Sequence, residues 1–198
     1  MPQYWSSLIN PAAPWQTASG TVLNTAATAT VNPEGAGGTG DDPQNLTWWQ
    51  GMVIRHTARG IYTMGSTATN ATFALFASAV GTALASGTSL ATTGALALPV
   101  SVTGLLWELE AITQCRAIAQ GTATASLYTH GSLKIQTAAP SGTTGNVQVW
   151  PMPAASGPTA ANADTTIAHT LGLVATLSQV TGSPTITCTQ YLAEIVSG

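Results

Sequence analysis

Apolar residues in this chain recur at every second position, and no segment shows the three-to-four-residue spacing of an amphipathic helix. The clearest run is Leu105 to Ala119. Leu105, Trp107, Leu109, Ala111, Cys115, Ala117 and Ala119 alternate there with Glu108, Glu110, Gln114 and Arg116. Side chains of a strand point alternately to its two faces, so this run predicts a long, half-buried strand. Met52 to Met64 predicts another, with Met52, Ile54, His56 and Ala58 on one face and Val53, Arg55, Thr57 and Arg59 on the other; Gly60 is an expected bulge. Ser126 to Ile135 sets Leu127, Thr129, Leu133 and Ile135 against Tyr128, His130 and Lys134. His169 to Leu177 gathers Leu171, Leu173, Ala175 and Leu177 on one face. Thr185 to Val196 closes the chain with Ile186, Cys188 and Leu192 expected inward. Thr21 to Val31 supplies a first strand or pair of strands, and Ala71 to Ala85 a strand, a turn near Gly81 and the start of another.

About eight strands without a long helix define an all-β chain. Long, uneven connections favour a two-sheet jelly roll or related β-sandwich over an up-and-down barrel, whose turns are shorter. No internal repeat of propeller or solenoid length is present. Residues 1–17, which include Pro2, Pro11 and Pro14, read as an extended N-terminal arm. Residues 18–198 read as a single domain with Gly/Pro-rich loops at 32–46 and 138–164.

Charge changes this picture most. Lys and Arg number 4 and Asp and Glu 7, together 6% of 198 residues, against roughly 25% in ordinary soluble domains. A chain that is 44% hydrophobic is not a charge-driven disordered segment. Four cations under a net charge of -3 cannot neutralise many phosphates, so nucleic acid is not an expected partner. A surface of Thr, Ser, Ala and Gly loses little solvation and little side-chain entropy on contact. That composition suits a protein packed against its own copies or a partner; a secreted surface domain of low charge would have a similar one. The start, Met1 to Ser7, lacks the basic and apolar regions of a signal peptide. Ala71 to Ala85 is too short and too polar to span a bilayer, so neither export nor a membrane partner is expected.

Candidate chemistry is sparse. No G-x-S-x-G elbow accompanies His56, His130 or His169, although Asp164 lies near His169 in sequence. Asp41 and Asp42 read as a solvated acidic loop in preference to a Ca²⁺ site. Glu108 and Glu110 stand two apart on one strand, roughly 7 Å from each other, as a glycosidase pair would. The polar face of a strand, paired with Arg55, Arg59 or Arg116, is the favoured reading of those carboxylates. Gly35 to Gly40 lacks the ending of a phosphate loop. Cys115 and Cys188 have no metal spacing and read as buried free thiols. No catalytic, cofactor-binding or metal-binding residue is assigned, and no cofactor is expected. Trp107 alternates inward and belongs to the core. Tyr4, Trp5, Trp15, Trp48, Trp49 and Trp150 stand in or beside loop and Pro-rich segments and are the candidate interface residues.

Several short motifs carry a resemblance. Gly51 to Tyr62, read as G-x-x-[IVL]-R-x-x-A-x-G-x-[IVY], resembles a strand of small virion proteins of tailed bacteriophages, many from actinobacterial hosts. Ala71 to Phe76 is similar to a second strand of that family, and Leu106 to Ala117 resembles its W-x-L-x-[AIL]-x-[LI]-T-x-R-[AT] strand. Thr189 to Glu194 is similar to its terminal motif. The resemblance spans residues 50–198. It implies a non-enzymatic head-decoration or minor capsid protein, a jelly-roll trimer made in the host cytoplasm and bound to the major capsid protein on the capsid surface. A host-recognition module at a tail tip or fibre, binding glycan through exposed Trp, is the alternative.

Overall fold

Strands account for most of the residues that the computed structural model describes, which are 28–31, 48–79, 82, 84–121, 125–139, 146–154, 157–167, 169–179 and 181–197. In chain order they are β1 (Thr28–Val31), β2 (Val53–Met64), β3 (Thr69–Ala79), β4 (Thr88–Thr92), β5 (Leu96–Leu98), β6 (Val102–Ala117), β7 (Ser126–Gln136), β8 (Val147–Met152), β9 (Ala160–Ala161), β10 (His169–Leu177) and β11 (Thr185–Ser197). One 3-10 turn, Leu84–Ser86, precedes β4. The strands form two antiparallel sheets. One has the order β1-β10-β3-β4 with β5 also on β3; the other has the order β11-β2-β6-β7-β8 with β9 also on β7. The chain crosses between sheets from β1 to β2, β2 to β3, β5 to β6, β9 to β10 and β10 to β11, a jelly-roll-like, all-β sandwich.

The core is the set of inward positions that the alternation predicts. In β2 every even-numbered residue from Ile54 to Met64 is buried, and in β6 the buried set is Leu105, Trp107, Leu109, Ala111, Thr113 and Cys115. From the facing sheet come Phe73, Leu75, Leu171, Leu173 and Leu177. Phe73 and Trp107 join the two layers, with ring centroids 5.2 Å apart at 53°. β5, β8 and β9 exceed the eight expected strands. β5 and β9 are too short to show a period, and β8 contains Pro151. The segment 138–164, expected as a loop, therefore contributes an edge strand to the six-stranded sheet. The expected arm at 1–17 and loop at 32–46 lie outside the described residues.

Two corrections share one cause. The bulge expected at Gly60 sits on the neighbouring strand, where the register of β11 against β2 shifts between Cys188 and Gln190. An extra residue reverses the facing of everything after it. Ile186 and Cys188 point inward as expected, but beyond the bulge the inward residue is Tyr191, while Leu192 turns to the other face. Leu192→Ala should accordingly cost no more than about 1 kcal/mol in urea unfolding, where a fully buried leucine would cost about 2–5 kcal/mol. A loss in the upper range would place Leu192 back in the core.

Candidate functional site

The outer face of the six-stranded sheet collects all four cations of the chain and three of its acids, Glu108, Glu110 and Glu194. Register aligns Arg59 of β2, Glu108 of β6 and Lys134 of β7 in one row across the strands. Nε and Nη2 of Arg59 both lie 2.7 Å from Oε1 of Glu108. Nζ of Lys134 is 3.7 Å from the other oxygen of Glu108 and 3.4 Å from Oε2 of Glu110. Further along the same face Arg55 reaches Glu194 at 3.9 Å. Arg116 lies 4.6 Å above the ring of Tyr128 and donates through Nε to Gln114. All four cations of the chain are thus on this face, each beside an acidic or π partner. The strands of the other sheet contain no Asp, Glu, Lys or Arg. Exposed pairs of this kind contribute little stability, about 0–1 kcal/mol each, so what they determine is the surface the sheet presents.

Beside the charged row runs an apolar one. Ile61 pairs with Leu106 in register, and Gln136 pairs with Val147. Leu106, at 61% exposed, and Val147 stand out from the sheet with nothing described above them. A shallow open groove of about 740 Å³ lies between the rows, with Ile61, Leu106 and Val147 on one side and Arg59, Glu108 and Lys134 on the other. Glu108 and Glu110 do share a face, as their spacing predicts. Both, however, are held by Lys134, and Glu108 also by Arg59, which is the cross-strand ion pairing expected of a polar strand face.

The inner face of the same sheet carries a second polar feature, fully enclosed. Nδ1 of His56 lies 3.0 Å from the hydroxyl of Tyr191, and Nε2 lies 3.0 Å from Oγ1 of Thr113. Thr113 in turn lies 2.8 Å from Oγ1 of Thr129. The ladder crosses β11, β2, β6 and β7, and each neutral imidazole nitrogen has one partner, as a buried ring requires. Burial lowers the pKa of His56 to about 4. Burial likewise pushes the Tyr62 phenol up to about 12 and raises that of Tyr191. The two cysteines are free and buried, as expected. Burial raises the Cys115 thiol and pushes Cys188 up to about 12, so neither has thiolate character at neutral pH.

The expected interface aromatics separate. Tyr4, Trp5 and Trp15 lie outside the described residues. Trp49 is exposed at 39%. Trp48 corrects its expectation: it is buried, and its indole N–H donates to Nδ1 of His169 at 3.2 Å. That nitrogen also stands 2.9 Å from the carbonyl of Ile167. The two contacts need opposite tautomers, so the ring serves one at a time. Burial lowers the pKa of His169, which favours the neutral ring that can accept from the indole. Trp150 is half-buried: β8 pairs it with Leu133 and turns it toward the core. Asp164 accepts from the backbone N–H and hydroxyl of Thr166, and these hydrogen bonds lower its pKa. The carboxylate is thereby used in a local turn. Asp41 and Asp42 lie outside the described residues, among which no three His, Cys, Asp or Glu side chains gather as a metal site. No described helix is long and apolar enough to cross a membrane.

No protein-family model, curated protein or solved structure matches this chain.

Proposed function

We propose that this chain is a non-enzymatic structural protein of a bacteriophage virion, a capsid decoration protein that assembles with its own copies and binds the major capsid protein on the outer surface of the head. The observation that carries the reading is the division of charge between the two sheets. One sheet has no Asp, Glu, Lys or Arg in its strands; Ala74, Ser78 and Val174 on its outer face are already buried within the chain, and a partner that contacts what remains of that face strips no water from an ion. The other has its cations already shared with neighbouring acids or a ring, which gives an address for docking while leaving few uncompensated charges. Among the described residues, two of the polar groups able to do chemistry are occupied within the chain: His56 by Tyr191 and Thr113, Asp164 by Thr166. Binding only the assembled shell then stabilises it by mass action. The motifs of Gly51 to Tyr62 and Leu106 to Ala117 support the same class.

Quantitative mass spectrometry of purified virions tests this directly. Copy number comparable to that of the major capsid protein is expected, together with earlier thermal rupture of particles that lack the chain. A handful of copies per particle would move the protein to the tail, and absence from particles would overturn the reading. The tail-tip, glycan-binding alternative keeps only Trp49 of its two adjacent tryptophans at the surface, because Trp48 is buried.

A further inference from the structure

β8 ends the order of the six-stranded sheet, and among the described residues nothing pairs with its outer side. Edge strands are normally guarded by charge, proline, a bulge or a covering loop, because their unpaired backbone groups can template another strand, and in β8 the guard is Pro151, which stands near its end and leaves Val147 to Val149 ahead of it. β8 has no charged side chain, and its register with β7 is unbroken from Gly131–Met152 to Gln136–Val147. Val147 and Val149 are 58% and 62% exposed.

The direction of its backbone groups follows from the ladder. Just before the strand, the N–H of Thr137 donates to the carbonyl of Asn146 at 2.6 Å, so these two form a hydrogen-bonded pair. Hydrogen-bonded and non-hydrogen-bonded pairs alternate in an antiparallel ladder. Gln148 and Trp150 therefore turn their backbone groups toward β7, while Val147, Val149 and Pro151 turn theirs to the open side. Two observations agree. Pro151, without an N–H, stands where β7 needs no donor. Gln136, opposite Val147, turns its carbonyl away from β8, where the hydroxyl of Tyr62 donates to it.

From this geometry we propose that β8 pairs antiparallel with β8 of a second copy of this chain, about a two-fold axis at Gln148. Val147 then faces Val149 of the partner subunit, and the reverse, so every valine of the contact donates its N–H and accepts at its C=O. The edge is self-complementary in the way a two-fold interface requires. The four valine side chains meet on one face and continue the apolar row of Ile61 and Leu106 through both copies. The two Lys134 side chains, one strand in from each edge, stay roughly 14 Å apart, beyond a screening length of about 8 Å, so charge does not oppose the contact. A two-fold pair differs from the threefold order that the family resemblance implies. It concerns the isolated protein and does not depend on the virion reading.

Light scattering and sedimentation of the full chain over roughly 1–100 µM test it. The expected mass at the upper end is twice the 20.0 kDa of one chain. Val149→Lys, which places a charge on the open edge, should weaken the pair at least tenfold with unchanged circular dichroism. Val149→Pro, which removes only an outward N–H, should act in the same direction. Independently of any variant, exchange of the Val147 and Val149 amides should slow as concentration rises. A monomer throughout the range, a three-chain mass untouched by both substitutions, or amide exchange independent of concentration would each overturn the proposal.

Discussion

Acidification from pH 7 to pH 4 should remove about 3 kcal/mol of folding stability through His56 alone, a large part of the margin of an ordinary domain. The unfolded chain takes a proton on this ring near pH 6.5, whereas the folded one does so only near pH 4. Between those values the unfolded state holds more protons, so stability rises with pH across the window. The contribution is complete above about pH 6.5 and lost by about pH 4. The cause is burial: the ring lies between Tyr191 and Thr113, with Thr129 behind, and none of these three carries a carboxylate that could accommodate an imidazolium. His169 is lowered by burial too and adds to the loss in the same direction, so the contribution of His56 must be isolated. Urea unfolding of the wild type and His56→Gln at pH 7 and pH 4.5 does so. The variant should be less stable at pH 7 but lose distinctly less on acidification. Equal losses in both proteins would assign the acid sensitivity elsewhere.

Gly60→Ala should cost about 3 kcal/mol or more, read as a fall in the urea midpoint. Gly60 is the inward residue opposite Trp107, and the indole lies across it to donate to the carbonyls of Ile61 at 3.3 Å and Thr187 at 3.2 Å. A Cβ at position 60 would stand 1.9 Å from the Thr187 oxygen and 2.7 Å from the Trp107 ring. The first contact is with backbone at the start of the β11 bulge, so relief requires moving the strand. The second is with the ring that packs on Phe73, so relief there loosens the contact between layers. Trp107→Leu should therefore cost less in the Gly60→Ala background than in the wild type, while the double variant stays well below wild type because the Thr187 contact remains. A Gly60→Ala variant within about 1 kcal/mol of wild type would show that β11 yields easily.

Gly60 also shows how far the sequence could be read. Its place in β2 suggested an irregularity, and one exists, but opposite it, on β11. Nothing local to Cys188–Gln190 announces a bulge; it lies beside the point where Trp107 crosses Gly60 and donates to the carbonyl of Thr187. The facing of Tyr191 and Leu192 follows from that bulge, and so does the hydrogen bond that holds His56. Likewise Arg59, Glu108 and Lys134 were each legible as outward residues of their own strands, and Arg59 was a foreseeable partner for Glu108. Their alignment into one row, with the apolar row beside it, needed the register of three strands.

What the sequence determined by itself is therefore the two-residue period: which strands exist where the alternation is long, which faces of β2, β6, β7 and β10 are buried, and that the chain is an all-β sandwich poor in charge. These are local consequences of the pleat, in which each side chain's direction is set by its neighbours along the chain. Tertiary structure alone decided the features that depend on pairing between distant segments. It brought Trp48 onto His169, turned Trp150 inward through β8, shifted the bulge to β11, closed the ladder around His56 and, among the described residues, left the edge at Val147 and Val149 open. A strand's own sequence states which way its residues alternate, but only its neighbours fix where the alternation is interrupted and which edge is left without a partner.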